Sequence, residues 1–160
     1  MSDPTTTQLT RDTYERLRAE LADLTTRGRV EIAHAIEAAR ALGDLSENGD
    51  YHAAKDSQGK MEARVRQLQR LLKDAVVVDE APTSTTVVAG TVVTLRYDGD
   101  DEDEVQQFFV GSIEEQRGDL TVVSPGSPLG LALLERSVGD AVEYRSPGGV
   151  LKVHIVQVGA

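Results

Sequence analysis

Two kinds of spacing divide the chain. Between residues 11 and 42, apolar positions recur every three or four residues: Tyr14, Leu17, Leu21 and Leu24, then Ile32, Ala35, Ile36, Ala39 and Leu42 with a shifted phase after an interruption at Gly28. Such steps line one face of a helix, here opened by Thr10 as a plausible N-cap. A continuous helix over that span would be roughly 48 Å long at ~1.5 Å per residue. The next repeat is cleaner. Tyr51, Ala54, Gln58, Met61, Val65, Leu68 and Leu72 alternate steps of three and four, the seam of a coiled coil with one polar member, Gln58. Only Gly43-Asp44-Leu45-Ser46-Glu47-Asn48-Gly49-Asp50 lies between the two repeats, and a link this short makes the helices antiparallel neighbours.

Beyond residue 79 the pattern changes to β-branched runs and turn residues. Residues 87–97, 105–110 and 120–123 read as strands, as do 141–145 and 150–158 on either side of the hairpin signal Ser146-Pro147-Gly148-Gly149. Ser127-Pro128 reads as the N-cap and first position of a short helix reaching Leu134. An antiparallel sheet carrying one short helix is expected. Residues 75–86 have the composition of a linker, with Pro82 and a Ser/Thr cluster. The expected organisation is therefore α+β: an N-terminal antiparallel helical hairpin over residues 1–78 with its turn at 43–50, then a β-rich domain over 79–160.

Charge sharpens this division. The 160-residue chain has a formal net charge of −10, yet residues 1–78 carry 12 Lys or Arg against 13 Asp or Glu, while residues 79–160 carry 5 against 14. Net acidity argues against free RNA as a standalone ligand, since phosphate binders carry a basic patch. From Lys55 to Lys73 there is a modest basic excess, which an exposed coiled-coil face also explains. There is no cysteine, which excludes disulfides and thiolate chemistry, and no apolar run approaches the ~18 residues of a membrane span. With no signal segment after Met1, a cytoplasmic location is expected.

Catalytic motifs are lacking: there is no phosphate-cradling loop, no nucleophile elbow, and His34, His52 and His154 are scattered. The acidic run 98–104 reads as a solvated hairpin tip, being too short for a helix-loop-helix calcium site. Asp44 and Glu47, three residues apart in the turn, admit two readings. With Gly43 as C-cap of the first helix, they fit an acidic variant of the capping box for the second. Alternatively, two carboxylates in an exposed turn are half of a magnesium site, to be completed by a host that supplies the other ligands and a phosphate.

The turn and its flanks, Gly43-Asp44-Leu45-Ser46-Glu47-Asn48, Asp50-Tyr51-His52-Ala53-Ala54-Lys55 and Gln58-Gly59, resemble the hairpin tip of bacterial transcript cleavage factors of the GreA type. Leu17-Arg18-Ala19-Glu20-Leu21 is similar to the family's first helix. Ser127-Pro128-Leu129-Gly130 through Ala132-Leu133-Leu134 to Val138-Gly139-Asp140 is similar to its C-terminal signature. Order and spacing agree over nearly the whole chain.

The resemblance implies a coiled-coil N-terminal domain and a small FKBP-like C-terminal domain with one short helix and no expected isomerase activity. It implies binding to RNA polymerase, as a monomer, with the coiled coil in the secondary channel and the C-terminal domain on the rim. There the factor would stimulate the polymerase's own cleavage of nascent RNA 3′ ends in backtracked complexes. Asp44 and Glu47 would help retain a magnesium ion shared with the polymerase active centre, Arg40 and Lys55 would contact the extruded RNA, and Leu45, Ser46 and Asn48 would support the tip. No cofactor of its own is implied, and the chain would act as a stimulator rather than an enzyme.

Gly49 stands where the family usually has Ala, and Leu131 with Glu135-Arg136-Ser137 departs from a more basic family stretch. Two other readings stay open: a channel regulator that inhibits without cleavage, and a chaperone or prolyl isomerase built on the second domain. For the latter, Tyr97, Phe108, Phe109 and Tyr144 are few aromatics for a proline pocket.

Overall fold

A computed structural model describes residues 7–44, 48–79 and 84–159. The elements are β1 (Gln8–Thr10), α1 (Arg11–Asp23), a π-helical turn (Leu24–Gly28), α2 (Arg29–Arg40), α3 (Gly49–Asp74), β2 (Val76–Val78), β3 (Val92–Tyr97), β4 (Gln106–Val110), β5 (Thr121–Val123), α4 (Pro128–Leu133), β6 (Ala141–Ser146) and β7 (Gly149–Val158). By internal packing they form two units: residues 14–74, and residues 75–160 together with the first 13. The chain is α+β.

The first unit is the helical hairpin. Every seam residue of α3 is buried or half-buried, with Ala54, Val65 and Leu68 deepest. Cross-helix pairs fix the antiparallel direction: Glu20 meets Arg64 at 2.7 Å, Arg29 meets Glu62 at 3.0 Å, and Asn48 reaches Ala39. The interruption at Gly28 is where the expected single helix breaks its α geometry. The Arg29 N–H donates back five residues to the Leu24 carbonyl, and the wider turn absorbs one extra residue. This is the physical form of the phase shift. Hydroxyls of Thr25 and Thr26 bond to the carbonyls of Leu21 and Ala22, at 2.8 and 2.7 Å, supplying donors inside the distorted turn. Gly28 packs closely on the opposite helix: a Cβ there would lie 3.1 Å from Met61 Sδ, so a larger residue would have to displace that side chain by a few tenths of an ångström. Two expected seam members are corrected: Ala35 is exposed and Leu42, past the end of α2, is 70% exposed.

In the second unit a five-stranded sheet has the order β5-β4-β3-β7-β6. The β3–β4, β3–β7 and β6–β7 pairs are antiparallel, but β4 and β5 run parallel, which corrects the expectation of a purely antiparallel sheet. The connection from β4 to β5 returns across the sheet end through residues 111–120 instead of closing a hairpin. Strand β3 begins at Val92 rather than 87, after a turn at residues 89–90 in which Gly90 has a φ of 95°. Val93, Leu95, Val110, Leu133, Val153 and Ile155 are central to the core. Helix α4 forms as expected: Ser127 Oγ accepts from the Gly130 N–H at 3.1 Å with Pro128 in the first turn. Gly130 permits this close return, since a Cβ would meet the Ser124 carbonyl oxygen at 2.0 Å.

Residues 7–13 join this unit through two features absent from the sequence pattern. Strand β1 pairs in parallel with β2, Leu9 opposite Val77, so part of the expected linker is a strand. Glu115, a buried carboxylate, accepts from the Thr10 N–H at 2.8 Å, the Thr10 hydroxyl at 3.0 Å and the Thr13 hydroxyl at 2.5 Å. Arg117 donates to the same carboxylate at 3.2 Å while its guanidinium lies 4.2 Å from the Phe109 ring centroid. A negative charge at the start of α1 also suits the helix dipole.

Candidate functional site

The turn of the hairpin is built by its two helix ends. Helix α2 stops at Arg40 because Gly43, with a φ of 124°, adopts a backbone conformation that side chains disfavour. Bonds from Ala41, Leu42 and Gly43 N–H groups to the Glu37, Ala39 and Arg40 carbonyls close this end. Helix α3 opens at Asn48, whose Oδ1 accepts from the Tyr51 N–H at 3.1 Å, an N-cap bond. The Asn48 Nδ2 donates to the Ala39 carbonyl. One side chain thus ties the end of α2 to the start of α3. The capping arrangement expected for Asp44 and Glu47 is corrected in this respect: Asn48 caps α3. Gly49 is the first residue of α3, at its end rather than its interior.

Asp44 lies four residues beyond the end of α2 and is exposed. Leu45, Ser46 and Glu47 lie outside the described residues. Arg40, the last residue of α2, is exposed, and its guanidinium carbon sits 5.9 Å from the centroid of the half-buried Tyr51 ring. His52 packs edge-on against that ring at 5.7 Å. Lys55, on the outer side of α3, donates to Gln58 Oε1 at 2.9 Å. The structure therefore gives Arg40 and Asn48 a shared framework at the helix ends and sets Lys55 two turns along α3. Tyr51 and Gln58 read from sequence as seam residues alone; the contact of Tyr51 with Arg40 is visible only once the helices are paired, whereas that of Gln58 with Lys55 is a local pair three residues apart on α3.

Farther from the turn, four cations form ion pairs. Arg27 pairs with Asp23 and Glu31, Arg29 with Glu62, Lys60 with Asp56, and Arg64 with Glu20. Hydrogen bonds from Arg64, Arg27 and Arg29 hold the carboxyls of Glu20, Asp23 and Glu62 below their ordinary range. In the other unit, a hydrogen bond from His154 at 2.8 Å does the same for Asp98, at the start of the acidic loop. Among the described residues no group of three or more His, Asp or Glu is placed to hold a metal ion. Nor is any described helix long and apolar enough to cross a membrane.

Residues 7–77 match the family described as transcription elongation factor, N-terminal, and residues 82–160 match transcription elongation factor, GreA/GreB, C-term. Transcription elongation factor GreA of Saccharopolyspora erythraea is 47% identical over 159 residues, covering 98% of this chain and 96% of that protein. The Streptomyces coelicolor protein of the same name is 50% identical over 144 residues, covering 89% and 86%. Among solved structures, Thermus aquaticus Gfh1 is 27% identical with a TM-score of 0.44, covering 97% of this chain and 99% of that one. On both domain matches and the full-length identity, the chain belongs to the GreA/GreB family of transcription elongation factors.

Proposed function

We propose that this chain binds RNA polymerase, presents its hairpin turn in the polymerase's secondary channel, and stimulates the polymerase's own cleavage of nascent RNA 3′ ends in backtracked, arrested complexes. Family membership supports the partner. The observation that supports the mechanism is the Asn48 clasp, which ties the end of α2 to the start of α3. Two helix ends fixed to one another give the acids of the turn, Asp44 and Glu47, a defined base from which to reach a host site.

Their carboxylates are hard oxygen donors and fit magnesium, which takes one or two protein carboxylates and fills its remaining positions with water and phosphate. When bound, such an ion supplies an activated water and charge neutralisation for in-line phosphoryl displacement. Asp44 and Glu47 would hold the ion and orient the water, Arg40 and Lys55 would contact phosphates of the extruded RNA, and Leu45, Ser46 and Asn48 would support the turn. The β-rich unit would dock at the rim of the channel.

The test is a reconstituted backtracked complex. Wild-type factor should shorten the RNA from its 3′ end, and Asp44→Ala or Glu47→Ala should abolish this while polymerase binding persists. Loss of binding with cleavage per bound factor unchanged would overturn the assigned roles. No shortening by wild type would replace this reading with that of an inhibitory channel regulator.

A further inference from the structure

The two basic residues flanking the turn share a property that sets them apart from Arg27, Arg29, Lys60 and Arg64. Each is held in place by a neutral group. Arg40 lies over the Tyr51 ring and Lys55 donates to the Gln58 amide, and among the described residues neither forms an ion pair. Both partners occupy the α3 seam, and both are half-buried, so their own positions are set by helix packing. Tyr51 is further fixed by its backbone bond to Asn48 and by the edge of His52. Gln58 is the polar member of an otherwise apolar seam, a choice that costs hairpin stability and calls for a reason.

An ion pair would orient a cation equally well but would cancel the charge that attracts phosphate. An aromatic face or an amide oxygen restricts the side chain and leaves its charge intact. We infer that Tyr51 and Gln58 are positioning residues that hold Arg40 and Lys55 in place, still fully charged, to engage the phosphates of extruded RNA. The inference rests on the proposed function and assigns the two seam residues a role in it beyond packing.

The experiment compares two reconstituted polymerase complexes, one backtracked with its RNA 3′ end extruded and one without extruded RNA, measuring factor affinity for both and RNA shortening in the first. Gln58→Leu frees Lys55 but improves the seam; it should raise the melting temperature yet weaken engagement of the backtracked complex about two- to tenfold. Gln58→Glu keeps the tether and neutralises the charge, and should weaken it by about tenfold or more. Tyr51→Leu should weaken it about two- to fivefold, Tyr51→Phe should restore it, and Tyr51→Leu should add nothing in an Arg40→Ala background.

Affinity for the complex without extruded RNA should be the same for all. Equal losses on both complexes would reduce the two residues to structural roles and overturn the inference, as would wild-type behaviour of Gln58→Glu and Tyr51→Leu. Should wild type fail to shorten RNA, the functional reading falls, while the affinity difference between the complexes still decides the role of these two residues.

Discussion

Two carboxylates show opposite uses of the same chemistry. Glu115 is sequestered, its side chain 1% exposed, and it collects three donors from Thr10 and Thr13 and a fourth from Arg117. Asp44 stands in solvent in the hairpin turn, with the nearby backbone held by the amide of Asn48. A buried charge is tolerable only when saturated with partners, and once saturated it has little left to offer another molecule. Asp44, by contrast, is exposed and not enclosed by the fold. The comparison separates residues that organise the chain from residues presented by it.

The sharpest way to break the comparison is Glu115→Ala. Removing a buried carboxylate from its donors should lower the stability of the intact chain by ~3–5 kcal/mol in urea titration, while cleavage per folded molecule stays at the wild-type level. A loss below about 1 kcal/mol would show that the buried cluster is not an anchor. Next in size, Asn48→Ala removes both the α3 cap and the bond to Ala39, and should cost ~0.5–2 kcal/mol by thermal melting while also reducing cleavage. Preserved cleavage in that variant would separate the turn's function from its clasp.

Gly59 offers a smaller effect of opposite sign. It lies inside α3, and a methyl group added at its Cα would find nothing within 4 Å, so Gly59→Ala should stabilise the hairpin by about 1 kcal/mol, read from the urea midpoint. The smallest effect concerns Glu20, whose folded pKa is lowered chiefly by the Arg64 hydrogen bond. A depressed carboxyl stabilises above its unfolded pKa of ~4.3 and loses that contribution as pH falls through the lower folded value. At this partly exposed pair the amount is ~0.2–1 kcal/mol. The stability gap between wild type and Glu20→Gln should therefore close as pH falls from about 6 to about 3.

Long repeats were legible in the sequence and short or long-range partnerships were not. The α3 seam could be read directly because seven residues keep one spacing, and the Ser127-Pro128 start of α4 because its capping chemistry is local. Strands β1 and β2 escaped because three residues carry no period and their partners are nearly seventy positions apart. Glu115 follows Ile113 and Glu114 in a segment to which the sequence pattern assigns no element; nothing local distinguishes an acid that Thr10 and Thr13 will bury. At the turn the residue types were legible, but capping by Asn48 in preference to Asp44 depends on where the Ala39 carbonyl ends up.

The single surplus residue housed by the turn at Leu24–Gly28 has a consequence at the other end of α2. Each residue of an α-helix advances the side-chain direction by about 100°, so one surplus residue in an unbroken α-helix would swing Ala39 and Arg40 by that angle around the helix axis, and the wider π-turn takes up that rotation. Forced into unbroken α geometry at the same length, the chain would turn Ala39 out of the seam and Arg40 off the face of Tyr51, although the change lies about 18 Å away along α2 at ~1.5 Å per residue. The π-turn thus behaves as a phase adjuster: it restores the azimuth at which the helix arrives, so that loss of one residue there would be taken up by reversion to α geometry and leave the hairpin turn aimed as before.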